Sequence, residues 1–235
     1  MGDEIAEFLA NRAASPERPL TGMTVLVVED SRFACEAMRL LCLRSGARIR
    51  RADCLRSAHR HLQTYRPAVV IVDLGLPDGS GADLIAELAA LPGRSTVVLG
   101  TSGDVDGEAV AMAAGADGFL AKPLESLAVF QGLILAALPS DARPNAVAVA
   151  RDAIVAPDAL ALRGDLAHVS ALLEDAPDAA MIDYLTHFLA GLARSAHDPA
   201  LEAAASSLAG ERASGTGYAH VARLVRARLA AGAAI

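Results

Sequence analysis

The chain has 235 residues, 53% of them hydrophobic, and 28 acidic against 21 basic side chains give a net charge of −7. That length exceeds one ordinary domain and predicts two. The acidic balance argues against a general nucleic-acid or anionic-membrane surface, because phosphate affinity needs clustered Lys and Arg, and points instead to protein partners.

The N-terminal MGDEIAEF is acidic and lacks the basic-then-apolar order of a secretory signal. Residues 1–21 are expected to be an extension with a short helix near 3–13. The longest apolar stretch elsewhere, Leu127–Leu138, contains Gln131 and is too short to span a bilayer, so a cytoplasmic protein is expected. Cys35, Cys42 and Cys54 fit neither a disulfide framework nor a zinc spacing, and the first two share a probable helix face as reduced core residues. Lys122 is the only lysine among the 21 basic residues, so its position calls for a reason specific to its site.

From residue 24 apolar runs alternate with amphipathic segments. Thr24–Val28 reads as a buried strand, followed by a helix through Phe33, Met38, Leu41 and Leu43 that Ser45-Gly46 ends. Ala47–Ala52, with Arg48 and Arg50 alternating, reads as an edge strand. Then come a helix at about 54–65, a strand at 68–72, a helix at about 80–91 and a strand at 96–99. A helix at about 106–114, a short strand at 118–121 and a helix at about 126–138 complete the pattern. Five strands each followed by a helix, with apolar central strands, predict a doubly wound α/β domain over residues 22–139 built on a five-stranded parallel sheet. Ligands of such sheets bind at the carboxyl ends of the strands.

Residues 140–149, taking in most of the stretch PSDARPNAV, read as a linker. Residues 150–235 lack a convincing strand and are rich in Ala and Leu. Helices at about 157–174, 178–196, 198–210 and 217–231 predict an all-α four-helix bundle.

The strand ends carry the chemistry. The first ends in Glu29-Asp30, the third in Asp73, the fourth in Thr101-Ser102 and the fifth in Lys122-Pro123. Carboxylates converging at one sheet edge repel one another unless a cation sits among them, and oxygen-only ligands beside a phosphate site point to Mg²⁺. Asp73 is then the nucleophile toward a phosphoryl donor. Lys122, a compact point charge on a flexible stem, is placed to neutralise the transferring oxygens, and Thr101 to donate a hydroxyl hydrogen bond to them.

The blocks VLVVEDS, VVIVDLGLPDGSG, VVLGTS and GADGFLAKPL resemble, in order and spacing, the four signature blocks of two-component response-regulator receiver domains. The resemblance covers about 115 residues and implies a flavodoxin-like receiver. It further implies that Glu29, Asp30 and Asp73 hold Mg²⁺ with the backbone carbonyl of Gly75, and that Asp73 is phosphorylated. Thr101 and Lys122 would contact the phosphoryl group, and Phe119 would be the aromatic whose rotation, with Thr101, reports phosphorylation. Gly100 stands where a larger apolar residue is commoner and Ser102 where Ala is usual. Either hydroxyl is therefore a candidate phosphate contact, with the preceding apolar run favouring Thr101.

Residues 181–229 resemble histidine-containing phosphotransfer (HPt) domains more loosely. The reactive block of that family, Ala-His-Ser-Leu-Lys-Gly, aligns with Ala205-Ser206-Ser207-Leu208-Ala209-Gly210, so Ser206 takes the histidine position. A hydroxyl cannot replace imidazole as a reversible phosphoryl carrier, which would make the module degenerate. His59, His61 and the other histidines show no catalytic spacing and read as surface residues.

Together these features predict a non-enzymatic response regulator of a phosphorelay. It accepts a phosphoryl group on Asp73 from a histidine kinase or phosphotransfer protein and signals through its helical domain, by a receiver–bundle contact or a homodimer. One alternative is a transcriptional regulator with a helical DNA-binding end, for which Arg223, Arg226 and Arg228 are the candidate contacts. Another is a phosphate sink. Residues 150–235 hold more acids than bases, which weighs against the first.

Overall fold

The computed structural model describes residues 14–140, 142–143, 153–174, 178–210 and 216–231. The helix expected near 3–13 and most of the expected linker lie outside the described residues. Among the described residues seven strands run β1 Thr24–Val28, β2 Arg48–Ala52, β3 Val69–Asp73, β4 Gly75–Leu76, β5 Gly79–Ser80, β6 Val97–Ser102 and β7 Gly118–Ala121. The receiver helices are α1 Arg32–Arg44, α2 Leu55–Thr64, α3 Gly81–Ala89, α4 Gly107–Ala113 and α5 Leu127–Ala137. The C-terminal helices are α6 Ala159–Glu174, α7 Ala179–Ser195, α8 Pro199–Gly210 and α9 Thr216–Ala231.

Five strands form one parallel sheet in the order β2-β1-β3-β6-β7, with β2 on an edge as its alternating arginines predict. Side chains alternate across a strand, so each central strand feeds two cores. Val25, Val27 and Ile71 pack with Cys35, Met38, Leu41, Phe130 and Ile134 on the α1/α5 face. Leu26, Val28, Val70 and Val72 pack with Ala58, Leu84, Ile85 and Ala111 on the other. Cys35 and Cys42 are fully buried free thiols in the first core. Order reverses beside β1 and β3, so the carboxyl ends of β1, β3 and β6 open together.

The short β4-β5 hairpin comes directly after Asp73, and α3 begins immediately beyond it. Gly81 has to be bare here: a Cβ would collide with the backbone carbonyl of Asp73. Ser31, Ser80 and Ser126 cap α1, α3 and α5 by accepting hydrogen bonds from backbone N–H groups of the first turn.

The C-terminal helices share a core built from Leu166, Val169, Leu185, Leu189, Leu201 and Val221. Phe33 of α1 is buried in that same core at 6% exposure. Burying one such ring contributes about 1.5–3 kcal/mol, so the helical region is bound to the receiver through apolar packing as well as polar contacts. Residues 153–155 run along the receiver: Val155 N donates to Glu125 O, Leu127 N donates to Ala153 O, and Val155 joins the receiver core. No helix among the described residues is long and apolar enough to cross a membrane.

Candidate functional site

The fold delivers the strand-end residues to one point. Parallel pairing puts Asp73 opposite Thr101, and β1 ends beside them in Glu29 and Asp30. Oxygen atoms of Glu29, Asp30 and Asp73 all lie within 4.8 Å of one another. Lys122, at the end of β7, donates to Asp73 Oδ2 at 2.9 Å. Its Nζ also lies 2.7 Å from Glu29 Oε2, an ion pair made off the hydrogen-bond direction. Glu29 Oε1 accepts from Ser31 N at 3.2 Å.

The electrostatics are those of three carboxylates meeting one ammonium at the floor of a cleft. Burial, with the nearby Asp73 charge, pushes Glu29 well above the usual carboxylate range, and Lys122 only partly offsets it. Asp30 is raised to about 6, mainly by burial, while a hydrogen bond from Tyr184 pulls the other way. Burial opposes the Lys122 charge, but Asp73 and Glu29 overcome it and hold the ammonium protonated above its ordinary range.

This donor set fits Mg²⁺. The acidic oxygens are hard ligands in excess of local positive charge, and Asp30 Oδ1 is buried without a hydrogen-bond partner. Gly75, two residues beyond Asp73, lines the same cavity.

The two candidate hydroxyls are placed differently from each other. Thr101 is fully buried and its Oγ1 donates to Leu120 O at 2.7 Å, whereas Ser102 lines the cavity and its Oγ accepts from Asp104 N. Thr101, favoured from the sequence, is thus turned to the neighbouring strand, and contact with a phosphoryl group on Asp73 requires it to leave that bond. Phe119 packs over two glycines: a Cβ on Gly100 would lie 3.4 Å from its ring and one on Gly107 3.1 Å. The small residue at 100 makes room for Phe119 and for Ala111.

The helical region closes the site, and the sequence carried little sign of this. Tyr184 on α7 donates its hydroxyl hydrogen to Asp30 Oδ2 at 2.6 Å. Asp165 on α6, 2% exposed, accepts from Ser31 Oγ at 2.8 Å and from the backbone N–H groups of Arg32 and Phe33 at 3.0 Å each. A carboxylate at the first turn of α1 satisfies donors that a helix start leaves open. α7 then lies across the cavity, which Glu29, Asp73, Gly75, Ser102, Lys122 and His187 line together. His187 is an exposed residue, as read from the sequence, and its place beside the cavity was not visible there. Ser206 is exposed on α8, donates to Glu202 O, and is not among the residues lining the cavity. These four hydrogen bonds join residues more than 130 positions apart. The only local sign was polar Asp165 and Tyr184 within Ala- and Leu-rich helices.

Comparison with known proteins places the stretch that contains Glu29, Asp30, Asp73 and Lys122 in a family. The family described as response regulator receiver domain matches residues 25–132. Among curated proteins the chain is 33% identical over 99 residues to the KDP operon transcriptional regulatory protein KdpE of Escherichia coli, covering 42% of this chain and 44% of that protein. It is 32% identical over 116 residues to the virulence transcriptional regulatory protein PhoP of Salmonella typhimurium, covering 48% and 52% respectively. The chain therefore spans about half the length of these curated relatives. The receiver domain of a signal transduction histidine kinase from Syntrophus aciditrophicus aligns at TM-score 0.47 and 25% identity, covering 55% of this chain and 100% of that one. Residues 25–132 of this chain are a response regulator receiver domain of the two-component signalling type.

Proposed function

We propose that the chain is a cytoplasmic response regulator that takes a phosphoryl group onto Asp73 from a phosphohistidine of a histidine kinase or phosphotransfer protein, and that the helical region packed on the site reads the event. The observation that carries this reading is the Lys122–Asp73 hydrogen bond at 2.9 Å inside a carboxylate cluster roofed by α7.

Each side chain has a task in that transfer. Asp73 Oδ1 is the attacking oxygen, because Oδ2 is held by Lys122. The carboxylate forms an acyl phosphate in one in-line step as the donor imidazole leaves. Lys122 balances charge on the moving phosphoryl oxygens from a dry position, where its field is strongest. Ser102 supplies a hydroxyl at the cavity wall, and Thr101 joins once it releases Leu120 O. Glu29, Asp30, Asp73 and the Gly75 carbonyl would hold Mg²⁺, which supplies further charge neutralisation when bound. Thr101 and Phe119 then carry the change outward along β6 and β7.

Readout rests on proximity. A phosphoryl group adds volume and charge under α7, and α7 is tied to the site through Tyr184 and Asp30. A DNA-binding role for the last helix is less favoured, because Arg228 is committed to Asp198 at 2.6 Å and Arg223 to His220 at 2.8 Å. Hydrogen exchange on the full chain, with and without Mg²⁺ and beryllofluoride as a phosphoryl mimic, tests the reading. Peptides over residues 179–195 are expected to exchange faster in the activated state. Unchanged exchange there, with changes confined to the receiver, would contradict it.

A further inference from the structure

We infer that His187 is a second phosphoryl-accepting residue, exchanging the group with Asp73 inside one chain. The inference rests on the reading of Asp73 as phosphoacceptor and adds a step after it.

Four observations converge on His187. Its side chain lines the cavity that also holds Asp73 and Lys122. It is 57% exposed, so the ring is not a packing residue of the helical core. Its Nδ1 lies 2.8 Å from the carbonyl oxygen of Asp183. A carbonyl can only accept, so Nδ1 carries a hydrogen, and in the neutral ring Nε2 is then the nitrogen with the lone pair that acts as a nucleophile. The nearest acidic group to that nitrogen, Asp104 Oδ2, is 4.0 Å away, which leaves Nε2 free of a close hydrogen-bond partner.

α7 also lies close to the strand ends. A Cβ placed on Gly75 would come 3.8 Å from His187 Cβ, so the helix sits directly over the residues just beyond Asp73. Gly191, one turn beyond His187, faces Gly103: a Cβ on Gly103 would lie 3.4 Å from the Gly191 Cα. The backbone of α7 therefore lies within van der Waals reach of the loop after β6. Arg194, another turn along, is ion-paired with Glu202 at 2.7 Å, while its buried Nη1 has no partner and is set against Gly103.

The step balances without a further reactant. His187 Nε2 attacks the phosphorus of the Asp73 acyl phosphate, the Nε2–P bond forms, the Oδ–P bond breaks, and its electron pair returns to the Asp73 carboxylate. The Nδ1 hydrogen stays in place, so the product is a phosphoimidazolium and no proton crosses the cavity. The reverse step restores neutral imidazole and the acyl phosphate. The phosphoryl group first enters from an external acyl phosphate or phosphohistidine.

The test uses the full chain with Mg²⁺ and radiolabelled acetyl phosphate, separating acyl phosphate by its loss to hydroxylamine from phosphohistidine by its survival in alkali. The wild type is expected to carry both kinds of label, with the alkali-stable fraction mapped to His187 by mass spectrometry. His187→Gln is expected to carry only hydroxylamine-sensitive label, and Asp73→Asn neither kind. Wild-type label that is wholly hydroxylamine-sensitive would overturn the His187 step while leaving the Asp73 reading intact. Alkali-stable label that persists in Asp73→Asn would overturn transfer from Asp73. Absence of any label in the wild type would overturn both readings.

Discussion

The Tyr184 hydroxyl donates to Asp30 Oδ2 at 2.6 Å, linking the second helix of the C-terminal region to a carboxylate at the receiver's acidic centre across 154 positions of sequence. Asp30 Oδ1 stays free of partners. Tyr184 therefore orients the carboxylate from behind, as an outer partner does for a metal ligand, and helps keep it ionised. Tyr184→Phe is expected to weaken Mg²⁺ binding by about tenfold at pH 6–7. Calorimetric titration checks this, and equal or tighter binding would show that Tyr184 competes with the metal.

The raised Asp30 fixes the sign of the pH dependence. Its ordinary value of 3.8 rises to about 6 in the folded chain, so the fold binds this proton more tightly than the unfolded chain does. Its contribution to metal-free stability is full below about 4 and is lost as pH rises through about 6. Mg²⁺ requires the ionised form, so its affinity moves the opposite way and is expected to fall about tenfold from pH 7 to pH 5 on account of Asp30. Calorimetry across that range checks it, and a flat profile would remove Asp30 from the ligand set.

Asp165 accepts three hydrogen bonds at the start of α1. Asp165→Ala is expected to lower stability by about 1–2 kcal/mol, the usual cost of a lost helix cap. Urea unfolding reads the change. An unchanged midpoint would mean that the helical region adds nothing to the receiver through this contact.

Lys122 stands between two buried carboxylates. Lys122→Ala removes the ammonium that both face, so the rate of Asp73 labelling is expected to drop by roughly 10²-fold or more. Time courses with a small phosphodonor measure it, and labelling at the wild-type rate would leave Lys122 as a structural ion pair.

Gly100 has a steric reason. A Cβ there would lie 2.5 Å from Ala111 Cβ, so Gly100→Leu is expected to cost about 1–3 kcal/mol by overpacking α4 against β6. A neutral result in urea unfolding would show that α4 moves aside without cost.

The receiver was readable because its physics is local and repetitive. Apolar runs such as Val25–Val28 and Val69–Val72 announce strands buried on both faces, and the polar residues ending them can converge only at one sheet edge. Lys122 stood out by composition before its position was known. Choosing between Thr101 and Ser102 depended on which way a strand-end side chain turns, and a one-residue shift reverses that. The roof over the site was not legible. Asp165, Tyr184 and His187 sit in helices whose pattern encodes which face is apolar, but not what that face meets. Phe33 shows the same limit: it fits the apolar pattern of α1, yet its ring is buried in the helical region rather than under the sheet.

Phosphorylation of Asp73 is the event on which the account rests. With Mg²⁺ and a small phosphodonor, the intact chain is expected to take up hydroxylamine-sensitive label that mass spectrometry places on Asp73, and Asp73→Asn is expected to take up none. Equal labelling of the two proteins would contradict the account.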